Sequence, residues 1–149
     1  MAAGPWVVYN DFMASAYKKV FNLNATDTLK VILVTSASNA INKALVTAQY
    51  ATVTNQLSTS GGYTSAGATA ANGSITGGGA TATITFDTDN VAWTGSGGGF
   101  TARAAVMYDD TATNKDLIAY FLLDSTPADV TVGAGITLTI TIAGVFSEA

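Results

Sequence analysis

Two acidic clusters stand out among the side chains able to do chemistry: Asp109 with Asp110, and Asp87 with Asp89. Hard cations take several oxygen ligands, and two carboxylates in one loop can begin such a shell. Neither cluster has the glutamate or the spacing of an EF-hand loop, and Asp is a standard turn residue. Both are therefore read as turns, with no metal and no cofactor assigned. A carboxylate pair for glycoside hydrolysis needs one acid in an apolar cleft, and nothing singles out two of the ten acids. The chain has neither His nor Cys, which removes imidazole bases, thiol nucleophiles, disulfides and zinc or haem ligation together. A Ser or Thr nucleophile would have only Lys as its base. No catalytic residue is assigned, and the chain is read as a non-enzyme.

Arg103 is the sole arginine. It sits in Phe100-Thr101-Ala102-Arg103-Ala104-Ala105-Val106-Met107-Tyr108, where the other side chains alternate like a strand. A buried Arg must be paired, so a structural ion pair with Asp109, Asp110 or Asp116 is expected, within the chain or across an interface. A second strand, Leu117 to Leu123, follows the acidic turn. The bridge Gly95–Gly99 lacks the Lys-Ser/Thr ending of a phosphate loop and is read as a hairpin or flexible turn. The run Gly77-Gly78-Gly79-Ala80-Thr81-Ala82 fits a dinucleotide fingerprint in letters only, because a strand and no helix follows it.

The elements that would position these residues are mostly strands. Leu29 to Thr35 reads as a strand buried on both faces. Thr81 to Phe86 alternates strictly, and Val91-Ala92-Trp93 follows a turn. In the last strand Ile136, Leu138, Ile140 and Ile142 face inward, with Thr137, Thr139 and Thr141 outward. Gln49 to Val53 is a weak further strand. Asn72-Gly73 predicts a two-residue hairpin, and Ser58 to Gly79 looks flexible. Asn10 to Phe21 is the one clear helix, with Phe12, Ala16 and Val20 on one side, Asn10 or Asp11 as cap, and Lys18 and Lys19 at its end. The expected fold is all-β, an antiparallel β-sandwich of jelly-roll or immunoglobulin-like type with one N-terminal helix. Residues 1–9 form an arm and 10–149 one domain. The arm residues Pro5, Trp6, Val7, Val8 and Tyr9 either tuck onto their own core or pack on a neighbouring subunit. Together with Arg103, Asp109 and Asp110 they are the candidate interface residues.

Composition narrows the partners. The chain is 48% hydrophobic and 11% charged, with net charge −4 and mean hydropathy +0.33. Ordinary domains carry about 25% charged residues, and interface cores are poor in Lys and Glu. Six scattered cations make no stripe for a phosphate backbone, so no nucleic acid is expected. No signal peptide and no membrane span is visible, which predicts a protein made in a cytoplasm and not bound to a membrane.

In order along the chain, several pieces resemble a family of small tailed-bacteriophage virion proteins. They are the helix from Phe12 to Phe21, then Asp27-Thr28-Leu29-Lys30-Val31-Ile32-Leu33-Val34-Thr35-Ser36. Gly62-Tyr63-Thr64-Ser65-Ala66-Gly67 is similar to the family's Gly-Tyr-Thr-x-Gly-Gly, with Ala66 where Gly is usual. Trp93, Phe100 to Asp110, and Leu117-Ile118-Ala119-Tyr120 complete a resemblance spanning Phe12 to Val145. It implies a virion component without catalytic residues: a capsid decoration or cement protein on the capsid exterior, bound to the major capsid protein, commonly as a homotrimer. The alternative is a tail or fibre component, including a receptor- or glycan-binding module, which should present exposed aromatics beside Asp or Asn on loops.

Overall fold

The computed structural model describes residues 3–18, 23, 26–78, 81–126 and 128–148. In chain order the elements are β1 (Val7–Val8), α1 (Asn10–Tyr17), β2 (Leu29–Val34), a 3-10 turn (Tyr50–Thr52), β3 (Ala68–Ala70), β4 (Ser74–Gly78), β5 (Thr81–Asp87), β6 (Val91–Thr94), β7 (Phe100–Ala102), β8 (Ala104–Asp109), β9 (Leu117–Leu122), β10 (Val130–Val132), β11 (Thr137–Ile140) and β12 (Ser147–Glu148). The protein is all-β with one N-terminal helix, as its alternation predicts. One antiparallel sheet has the order β1-β9-β8-β2-β3, and three smaller sheets pair β10 with β7, β11 with β6, and β12 with β5 and β4. This order by itself assigns neither the immunoglobulin nor the jelly-roll type.

The two most apolar runs lie at the centre. Every residue of β8 is buried, as are five of the six in β2. They pair in register from Leu29 opposite Asp109 to Val34 opposite Ala104. Burying each large aliphatic side chain is worth roughly 1.5–3 kcal/mol, so these strands anchor the core. The acidic turn joins β8 to β9 as a hairpin, Ala104 opposite Leu122.

Several local expectations are corrected. Phe100 to Tyr108 is two strands, broken at Arg103. β7 pairs with β10, whereas β8 belongs to the central sheet. Within Gln49 to Val53 only Gln49 pairs, as an isolated bridge to Asp116; Tyr50–Thr52 forms the 3-10 turn, where Gln49 O accepts the Thr52 N–H. Asn72-Gly73 makes no hairpin: β3 pairs with β2 and β4 with β5. Asn72 has the positive φ of 55° such turns favour, yet the chain there passes between sheets. Ile136 precedes β11 and is 59% exposed; only Ile140 and Ile142 of that series are buried.

The helix is capped by Tyr9 without a side-chain bond. Asp11 instead accepts the Ala48 N–H (3.2 Å). Phe12 is buried against Phe146, at 5.7 Å between rings, while Ala16 is exposed. The Lys18 N–H closes the last turn on Ser15 O (3.0 Å). Lys19, Val20 and Phe21 lie outside the described residues.

Candidate functional site

The arm lies on its own core. Val7 pairs with Tyr120 and Val8 with Ala119, making β1 the edge strand beside β9. The Gly4 N–H donates to Leu122 O (3.0 Å) and the Tyr9 N–H to Ile118 O (3.1 Å). Trp6 packs on Phe121 with ring centroids 5.0 Å apart. Tyr9 is fully buried, its hydroxyl donates to Ala40 O (2.5 Å), and burial pushes its pKa up. Pro5 stays exposed. Of the two placements open from the sequence, this is the intramolecular one, because the arm's apolar run pairs with the edge of β9 that it would otherwise leave open.

Arg103 sits at the break between β7 and β8. Its N–H donates to Val34 O (2.8 Å), and its carbonyl accepts the Leu123 N–H (3.1 Å). Its Nη1 donates to Asp124 O (3.0 Å) and Thr126 O (2.6 Å), and also meets Ala128 O. The expected partners Asp109, Asp110 and Asp116 lie at the far end of β8 or on the loop leading into β9, and among the described residues Arg103 pairs with none of them. Backbone carbonyls of the loop after β9 satisfy the cation instead. That loop is further fixed by Asp124, whose carboxylate accepts the Thr126 N–H (3.0 Å). This bond first, and the Arg103 charge as well, hold its pKa down.

Asp109 and Asp110 are neighbours with opposite environments. Asp110 is clamped by Lys30 (2.7 Å) and Lys115 (2.6 Å), and these bonds lower its pKa. Asp109 is 1% exposed. Its Oδ1 accepts the N–H groups of Thr111 (2.8 Å) and Ala112 (3.1 Å), so it caps the turn the sequence predicted. Burial first, and the neighbouring Asp27 as well, push its pKa up to about 6 against those two bonds. Among the described residues no three acidic side chains converge as a metal-ligand set. Asp87 and Asp89 make separate bonds, to the Gly144 N–H and to the Asn72 amide (2.6 Å).

Two features escaped sequence reasoning. Ser15 and Lys18 stand at Ser-x-x-Lys spacing, but Lys18 is exposed, and a lysine serves as a base when desolvated. The second is a corner built from glycine loops. Gly95 N–H donates to Ile136 O (2.8 Å), Gly135 N–H to Gly95 O (2.9 Å), and Ser96 N–H to Gly61 O (2.9 Å). A Cβ on Gly61 would lie 1.8 Å from the Gly99 carbonyl oxygen. The bridge read as a hairpin or flexible turn is thus interlocked, and so is the start of the Ser58 to Gly79 segment.

The corner joins β6–β11 to β7–β10 as one bent ribbon, Thr94 opposite Thr137 and Phe100 opposite Val132. Its outer side shows Ala92, Thr94, Thr101, Thr131, Thr137 and Thr139, all exposed, and its four strands hold no charged residue. Thr94 and Thr137 share a hydrogen bond (2.9 Å), as do Thr101 and Thr131 (3.0 Å).

The chain matches no protein-family model, no curated protein and no solved structure. Among the described residues no helix is long and apolar enough to cross a membrane.

Proposed function

We propose that the chain is a bacteriophage virion structural protein, without catalytic activity, that binds and stabilises the outer surface of the head shell. The observation that carries this reading is the charge-free, threonine-covered ribbon of β6, β7, β10 and β11. Interface cores are depleted in charged residues, and a face of paired hydroxyls and methyls can meet a protein shell without desolvating an ion. The major capsid protein is the partner, and self-association as a homotrimer belongs to the same proposal. Anchoring of the arm in its own sheet moves the contact surface from the arm to the ribbon.

Of the four aromatics that could stack on a glycan, three are turned inward and Tyr120 is half-buried. Tyr63, Trp93 and Tyr108 are buried, which supports the shell reading over that alternative.

Quantitative mass spectrometry of purified virions tests the proposal. Copies comparable to the major shell protein are expected. Far fewer copies would move the protein to the tail or neck, and absence from the particle would end both readings. Thr101→Lys with Thr139→Lys should leave the fold intact and abolish binding to purified shells.

A further inference from the structure

We propose that the open edge of the Arg103 guanidinium, Nε with Nη2, is a binding site for one carboxylate, an Asp or Glu side chain of the shell protein. This contact depends on the shell-binding role and fixes the register of the ribbon on that surface. One side of the cation is already held within the chain. Its Nη1 donates to Asp124 O (3.0 Å) and Thr126 O (2.6 Å), and also meets Ala128 O. Among the described residues neither Nε nor Nη2 has an acceptor, and the ion pairs join Asp110 to Lys30 and Lys115, not to the arginine. Arg103 is half-buried. No buried side-chain nitrogen or oxygen among the described residues lacks a partner, so both unpartnered nitrogens reach the surface.

The carboxylates of the same loop are engaged elsewhere. Asp124 accepts the Thr126 N–H (3.0 Å), and Asp129 accepts the Ser36 hydroxyl (3.3 Å). Arg103 follows β7 directly and Ala128 lies just ahead of β10, so the cation stands at one end of the β7–β10 pair. The strands of the ribbon carry no charge, which leaves this arginine as a cation at their border. Interfaces surround an uncharged centre with a polar rim, and Arg is enriched where their binding energy concentrates. The planar fork meets a carboxylate through two parallel N–H bonds, and a guanidinium is more weakly hydrated than an ammonium. Clamped through Nη1, the side chain has little rotamer freedom left to lose on binding. A nucleic-acid backbone is the wrong anion here, because it needs a stripe of cations and the chain has six in all. One fork fits one carboxylate.

Binding of the full chain to purified shells stripped of it tests the contact. Wild type and Arg103→Lys are each titrated onto untreated shells and onto shells whose carboxyl groups have been amidated with carbodiimide and glycinamide. Arg103→Lys keeps a charged donor for the loop carbonyls, which its urea midpoint checks, but it has no fork. It should bind untreated shells at least about tenfold more weakly than wild type. Amidation should weaken wild type at least about tenfold as well and leave Arg103→Lys little changed, because the contact it removes is already gone. Wild-type affinity in Arg103→Lys would overturn the proposal and leave the shell reading standing. An equal loss in both proteins on amidation would also overturn it, since the arginine would then act through something other than a carboxylate. So would wild type that binds amidated and untreated shells alike, however Arg103→Lys folds. No binding of wild type to untreated shells would end the shell reading itself, and this contact with it.

Discussion

From Val91 to Asp109 the chain is one strand run with two breaks, and the two are held by opposite means. At Gly95–Gly99 the run turns from β6 into β7, and backbone meets backbone with no side chain between. At Arg103 it leaves the β7–β10 pair for the central sheet, and one long cation gathers carbonyls from the loop after β9. The glycine corner works by the absence of atoms, so it is intolerant of any addition. The arginine break works by the presence of a donor, so it tolerates a change of shape better than a loss of charge. A change of sheet within one strand thus has at least two solutions in the same molecule.

The corner should give the largest effect. Gly61→Ala forces a Cβ to 1.8 Å from a carbonyl oxygen at a φ of +60°, and should cost at least about 3–4 kcal/mol. Gly98→Ala meets nothing within 4 Å and should cost under about 1 kcal/mol. Urea unfolding of the pair checks this; similar midpoints would show that the corner is not interlocked.

Arg103→Met comes next, at about 1–2 kcal/mol, because one part-buried and two exposed carbonyls of the loop lose a charged donor. Arg103→Lys should recover part of that loss by keeping the charge. If the Met variant unfolded at the wild-type midpoint, the break would owe nothing to the cation.

At the far end of the run, the acidic loop adds a pH dependence of its own. Asp109 has a folded pKa above its unfolded one. Its carboxyl therefore favours the fold when protonated, and stability falls as pH rises from about 4 through about 6. Asp110 has a depressed folded pKa, so its contribution is present above the unfolded value and lost at lower pH. Thermal stability should therefore peak between these limits. Asp109→Asn should flatten the upper limb, raising Tm at about pH 8 by a few degrees. An unchanged limb in differential scanning calorimetry would place the pH dependence elsewhere.

The smallest effect is expected at Ala66, whose φ is +69°. Ala66→Gly should stabilise by about 0.5 kcal/mol, the relief of left-handed strain less the added freedom of the unfolded chain. A loss of stability in the same unfolding series would mean that the Ala66 methyl packs usefully.

Much of the strand content was legible. Leu29 to Val34, Thr81 to Phe86 and Leu117 to Leu122 carry their alternation or apolar run openly, and each is a strand. Asp109 announced itself as a turn residue. Its burial beside Asp27 did not, since 82 positions separate the two and only the pairing of β2 with β8 brings them together. Arg103 was legible as a residue needing a partner, but a carbonyl cluster has no letter in the sequence. Asn72-Gly73 has the letters of a hairpin, and the competition of β2 for β3 decided otherwise.

What the chain determined alone is what depends on near neighbours: the period of two, the glycine bends, the short helix, and the exclusion of His and Cys chemistry. Only the tertiary structure decided where β7 ends and β8 begins, that the arm closes its own sheet, that glycines at 61 and 99 touch, and which aspartate is buried. These depend on contacts distant in the chain, and their energies come from packing and desolvation, which no local spacing records.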